Sequence, residues 1–214
     1  MKVIRHTLVS EGSTDANLIP IIDWTLKHTA GLPLSQGKRA EFWRLSKKPG
    51  SLGERILKAV ELDPCEILFI HRDADGELPQ ARVGEIRQAI EQAGIKMPAV
   101  AIIPVRMLEA WLCFNEVTIR KASGNPNGKV PLNLPAMKRV ESRPDPKRDL
   151  REALLTASER SGRRRKRFDT AAAFWLIVDG IEDFSPLREL PSFQAFERSV
   201  KFLKDNNLRP GFYG

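Results

Sequence analysis

Apolar segments of two different periods alternate along the first half of this chain, and that alternation restricts the fold more than any single motif does. KVIRHTLVS (2–10) reads as a strand. Residues 15–28 are helical by pattern, with Leu18, Ile19, Ile22 and Leu26 on one side. Ser13 or Thr14 can cap that helix, and Pro20 must sit in its first turns or kink it. AEFWRL (40–45) is a short candidate strand, and 51–62 is helical through Leu52, Ile56, Leu57 and Val60. CEILFIHRD (65–73) is a near-continuous apolar strand, as expected where helices cover both faces of a sheet. A third helix spans 79–93, with Pro79 near its start and Gly94 just past its end. PAVAIIPV (98–105) is a fourth strand and Met107–Phe114 a fourth helix. The order β-α-β-α-β-α-β-α predicts an α/β fold, a mainly parallel four-stranded sheet flanked by helices. In such sheets ligands bind outside the carboxyl ends of the strands.

The texture changes after Asn115. SGNPNGKVPLNLP (123–135) is a loop by its Pro, Gly and Asn content. Residues 147–160, TAAAFWLIV (170–178) and SFQAFERSVKFLKD (192–205) read as helices, with ERSGRRRKRF (159–168) a basic turn. Residues 1–114 therefore form the α/β core. Residues 115–214 form a loop and a C-terminal helical extension packed on it as one compact unit.

No uncharged apolar run approaches the ~20 residues of a membrane span, and the longest, MPAVAIIPV, has nine. The N-terminus lacks a signal-peptide core. The two cysteines, Cys65 and Cys113, lie far apart in apolar surroundings and read as buried free thiols. A cytoplasmic, reducing location is expected. The net charge of +8 is local: residues 138–167 hold twelve Lys or Arg against five Asp or Glu. Such a stretch, with Arg163, Arg164, Arg165, Lys166 and Arg167 at its end, is either a solvated, mobile segment or a polyanion contact, with nucleic acid the expected partner.

Two acidic motifs fall at strand ends. SEGSTD follows the first strand and supplies Glu11 and, four residues on, Asp15. The third strand ends in Asp73-Ala74-Asp75. If the two strands are neighbours, four carboxylates converge. Two such charges ~4 Å apart repel by about 4 kcal/mol at an effective dielectric of ~20. The cluster needs raised pKa values or a cation, and hard oxygen donors suit Mg²⁺ or Mn²⁺. Met107, Ala110, Trp111 and Phe114 follow core spacing. Arg106 and Glu109 then share the other side, as a surface pair or, beside the acids, as phosphate contact and metal ligand. Lys147 starts a helix and is either a surface lysine or a group that neutralises a phosphate.

The pairing of EG-x-x-D with D-x-D resembles the Toprim domain of topoisomerases, primases and the overcoming-lysogenization-defect nucleases. The resemblance covers roughly residues 1–114. It implies that Glu11, Asp73 and Asp75 bind divalent metal for phosphodiester chemistry, and that Asp15 is the extra acid of the two-metal type. VRMLEAWLCF, DPKRDL and LPSFQAF are similar to small bacterial stand-alone Toprim-like proteins, some of which occur beside ATPase genes in settings that suggest phage defence. An ATPase partner and a homo-oligomer are compatible with that resemblance. With its only tyrosine at Tyr213, the chain favours hydrolysis over topoisomerase-type strand passage.

Two other readings compete. Asp73-Ala74-Asp75-Gly76 also fits the first motif of a haloacid-dehalogenase-type phosphatase, with Asp179 and Asp183 as its distal acids, although Glu77 replaces the usual threonine and a full strand precedes it. The third reading is a non-catalytic subunit that binds nucleic acid or a partner protein. The histidines add little: His6 and His28 read as incidental, and His71 precedes Asp73 on the strand with neighbours that face opposite ways.

Overall fold

The computed structural model describes residues 3–214. β1 (Ile4–Val9) leads through a 3-10 turn (Thr14–Asn17) into α1 (Leu18–Ala30), followed by β2 (Ser35–Arg39), α2 (Leu52–Leu62), β3 (Ile67–His71), α3 (Pro79–Gln92) and β4 (Pro98–Ile102). Pro20 occupies the first turn of α1, where its missing N–H costs nothing, and the helix runs unbroken. Ser51 and Glu54 form a capping box that fixes the start of α2.

The sheet is parallel throughout its pairings, in the order β2-β1-β3-β4-β5. It has five strands rather than the four expected. The fifth is β5 (Gly211–Tyr213), which pairs with β4 through Pro98↔Gly211 and Val100↔Tyr213. Asn207 and Leu208, at φ 52° and 56°, turn the chain back to make that pairing. Three residues carry too little pattern to reveal a strand.

The two faces of the sheet are covered separately, as period-2 alternation requires. Val9, Leu68, Ile70, Ala99 and Ala101 pack on Ile56 and Ala59 of α2 and on Ile86, Ala89 and Ile90 of α3. Leu8, Phe69, Val100 and Ile102 face the opposite way, onto α1 and the C-terminal half.

The second strand lies at Ser35–Arg39, five residues before the segment expected. SQGKR has no apolar alternation because a polar network takes its place. The imidazole of His6 and the Ser35 hydroxyl both reach the Asp23 carboxylate, the former at 2.8 Å. Gly37 lies over that network, where an added Cβ would meet the His6 ring and Ile19. AEFWRL instead forms an irregular loop.

After β4 the expected fourth α-helix is a five-residue 3-10 helix, Leu108–Leu112. All five of its residues are buried, so it has no solvent face for an amphipathic helix to present. The extension then forms α4 (Glu116–Ala122), α5 (Met137–Val140), α6 (Pro146–Ala157), α7 (Gly162–Lys166), α8 (Thr170–Asp179) and α9 (Pro191–Asp205). Residues 123–135 are irregular, as read.

The extension is fastened to the sheet by aromatic rings. Phe196 of α9 sits 6.1 Å from Phe69 of β3 and 6.3 Å from Trp111, and Phe193 meets Trp111 edge-on at 5.3 Å. The Trp111 indole N–H donates to the Ser192 hydroxyl at 3.0 Å. Cys113 is buried and Cys65 half-buried, both as free thiols. Among the described residues no helix is long and apolar enough to cross a membrane.

Candidate functional site

The strand order places a topological switch point between β1 and β3, because the chain leaves β1 through α1 toward β2 and leaves β3 through α3, on the opposite face, toward β4. Crevices open at the carboxyl ends of such strands. β1 and β3 run in register there, with Val9 opposite Ile70. The segments that follow, Ser10–Asp15 and Arg72–Asp75, are therefore adjacent. The two acidic motifs meet at the edge where they were expected.

Within that crevice the acids divide into two groups. Asp15, in the 3-10 turn, is 9% exposed and accepts the Gly12 N–H at 2.8 Å. Its Oδ2 lies 3.5 Å from His71 Nδ1, while Asp73 Oδ1 lies 3.2 Å from His71 Nε2. The imidazole thus stands between two carboxylates. His71 and Asp73 are two residues apart and share a face of the strand end. Both contacts are ion-pair approaches without hydrogen-bond geometry. Both ring nitrogens and Asp73 Oδ1 are buried with no hydrogen-bond partner. Burial pulls the imidazole pKa down, but the two acids outweigh it and push it up to about 9. Burial likewise opposes ionisation of Asp15, yet His71 and the Gly12 N–H hold its pKa below the usual value.

Glu109 joins this group from the 3-10 helix. It is 7% exposed, and burial together with the nearby Asp73 and Asp15 charges raises its pKa, against the pull of Lys147. Lys147 Nζ, at the start of α6, lies 3.7 Å from Glu109 Oε1. The partner of Glu109 is thus Lys147; Arg106 has no ion pair among the described residues.

The remaining two acids turn away. Glu11 is exposed and pairs with Arg72 Nη1 at 2.7 Å. Asp75, at φ 51°, and Gly76, at φ 86°, are the central residues of a tight turn closed by the Glu77 N–H to the Ala74 carbonyl at 2.9 Å. Positive φ at both positions is the demand of a type I′ turn, which Asp-Gly meets well. The Asp75 side chain is exposed and acts on Arg82.

Arg163 to Arg167 are all exposed, on or just past α7, with the Arg165 guanidinium bonded to the Leu155 carbonyl at 3.0 Å. Asp179 ends α8, and Asp183 holds the Ser185 N–H at 2.9 Å, so neither of the distal phosphatase acids follows a strand. A cavity of about 500 Å³ lies elsewhere, between the 132–135 loop and α6, and none of the acids of the crevice lines it.

Asp15, Asp73 and Glu109 offer only oxygen donors, of the kind a hard divalent cation takes. The buried Asp73 Oδ1 without a hydrogen-bond partner is the observation that fits such an ion. Among the described residues no group of three His, Cys, Asp or Glu side chains is already arranged to hold a metal. Comparisons of the chain with protein families, with curated proteins and with solved structures gave no match.

Proposed function

We propose that this chain is a divalent-metal-dependent phosphodiester hydrolase acting on nucleic acid. The observation that carries the reading is the meeting of Asp15, Asp73 and Glu109 at the β1/β3 switch point, where Asp73 Oδ1 is buried, accepts no hydrogen bond and lies 3.2 Å from His71 Nε2. Mg²⁺ or Mn²⁺ held there would lower the pKa of a bound water and polarise the phosphate. The three carboxylates would hold the ion. Glu11 is exposed and paired with Arg72, and would accept a proton only on leaving that pair. Lys147 sits beside Glu109 and would face developing charge on the phosphate oxygens. The Toprim resemblance, carried by Glu11, Asp73 and Asp75 with Asp15 as the extra acid, implies the same chemistry, although Asp75 is exposed on a turn.

A second reading is favoured by one observation. His71 and Arg72 already supply internal cations to Asp15, Asp73 and Glu11. In a non-catalytic binding subunit those pairs would be permanent. Purified protein incubated with plasmid, linear DNA and RNA in Mn²⁺ or in chelator separates the two. The hydrolase reading predicts Mn²⁺-dependent cleavage that Asp73→Asn abolishes. Cleavage that survives Asp73→Asn, or that persists in chelator, would overturn it.

A further inference from the structure

The loop between β2 and α2 gives Ala40 and Phe42 to the core, and its other side chains from Trp43 to Lys48 have no part in the core or the acidic crevice. Phe42 packs partly buried against the cluster under α2 and α3 and anchors the loop. Its neighbour Trp43 is 69% exposed. That indole is not loose. Its N–H donates to Glu41 Oε2 at 2.7 Å, and the Arg44 guanidinium lies 5.1 Å from the ring centroid. One face is covered by a cation and the ring's orientation is fixed by a hydrogen bond. Arg44, Lys47 and Lys48 are exposed and form no ion pair among the described residues. Residues 38–48 carry five Lys or Arg and one Glu.

The register puts this loop beside the acids. Arg39 pairs with Leu8, and the Ala40 N–H donates to the Leu8 carbonyl at 2.8 Å. The loop therefore leaves the sheet at the carboxyl edge, one strand spacing of about 4.8 Å from the strand that continues to Glu11. A polyanion approaching a carboxylate-lined crevice needs positive charge at its flank. An aromatic face held open to solvent takes an unstacked base, which a duplex does not offer.

We propose that the 40–48 loop binds a single-stranded segment of nucleic acid, with a base stacked on Trp43 and phosphates on Arg44, Lys47 and Lys48. The role of the loop in delivering a strand to the acids rests on the hydrolase reading; the binding itself does not.

The test is fluorescence anisotropy of a labelled 15-nucleotide DNA strand, an RNA strand of the same sequence and the matching DNA duplex, all in EDTA so that nothing is cleaved. The wild type should bind at least one single strand more tightly than the duplex, and the two strand arms tell DNA from RNA. Trp43→Ala should weaken that binding about tenfold, the loss of one stacked base. Trp43→Phe should restore most of it, and Trp175→Ala, which removes another exposed indole, should leave it unchanged. Lys47→Ala/Lys48→Ala should flatten the log K against log salt slope by about 1.4. Unchanged affinity in Trp43→Ala, a preference for duplex, or no binding of any strand would overturn the proposal. Separate cleavage assays in Mn²⁺ keep the two claims apart. Binding that depends on Trp43 in a protein without nuclease activity upholds the loop and sinks the hydrolase. Metal-dependent cleavage with Trp43→Ala binding like wild type does the reverse.

Discussion

Trp111→Ala tests whether the helical extension and the α/β core are one cooperative unit. Trp111 is fully buried, touches Phe193 and Phe196 of α9, and bonds Ser192. Truncating a buried aromatic to alanine costs about 3–5 kcal/mol through lost transfer energy and the cavity left behind. The edge-on contact with Phe193 and the indole hydrogen bond put this site toward the upper end, at about 4 kcal/mol. A domain of this kind holds ~5–15 kcal/mol in total, so the variant would sit close to its folding threshold. Urea unfolding followed by far-UV circular dichroism measures the change. Trp111→Phe keeps a six-membered aromatic ring but loses the pyrrole ring and its N–H, and should cost less, about 2 kcal/mol. A loss below ~1.5 kcal/mol for Trp111→Ala, or two separate transitions in the wild type, would refute the single-unit account. Because Glu109 lies on the same 3-10 turn, Trp111→Ala should also displace that carboxylate from the crevice.

The pH dependence of the metal-free protein reports on His71. Its folded pKa of about 9 lies above the ordinary 6.5, so its contribution is fully present below 6.5 and is lost as pH rises through 9. Urea stability in chelator should fall by about 3 kcal/mol between those values, and a His71→Gln variant should lack that fall. Cys113, whose pKa burial pushes up to about 12, should react with a thiol reagent at pH 8 only after unfolding, while the half-buried Cys65 reacts first. Replacing Arg163, Arg164 and Lys166 by alanine should leave stability within ~0.5 kcal/mol and reduce the salt dependence of nucleic-acid binding in a filter assay.

The strands that face helices on both sides were legible because burial on two faces leaves an apolar run, as in 67–71 and 98–102. β2 was not, because hydrogen bonds through His6, Ser35 and Asp23 replace apolar contacts at that edge. β5 was too short to carry a pattern. The acidic motifs were legible from their place after strands. Their division was not, since the pairing of Glu11 with Arg72 and the turn that Asp75 shares with Gly76 depend on three-dimensional neighbours. The approach of His71 to Asp73 had a usable signal in their spacing, since residues i and i+2 of a strand point the same way. The sequence left Glu109 open between a surface pair with Arg106 and a place beside the acids; its partner, Lys147, comes from a helix 38 residues away in sequence and no local pattern announces it.

The proposal that Asp15, Asp73 and Glu109 bind one cation is open to calorimetric titration of the protein with Mn²⁺. Binding should be saturable in the wild type, weakened at least tenfold in Asp15→Asn, in Asp73→Asn and in Glu109→Gln, and little affected in Asp75→Asn, whose side chain is exposed on the turn. No Mn²⁺ binding by the wild type, or equal binding by all four variants, would contradict it.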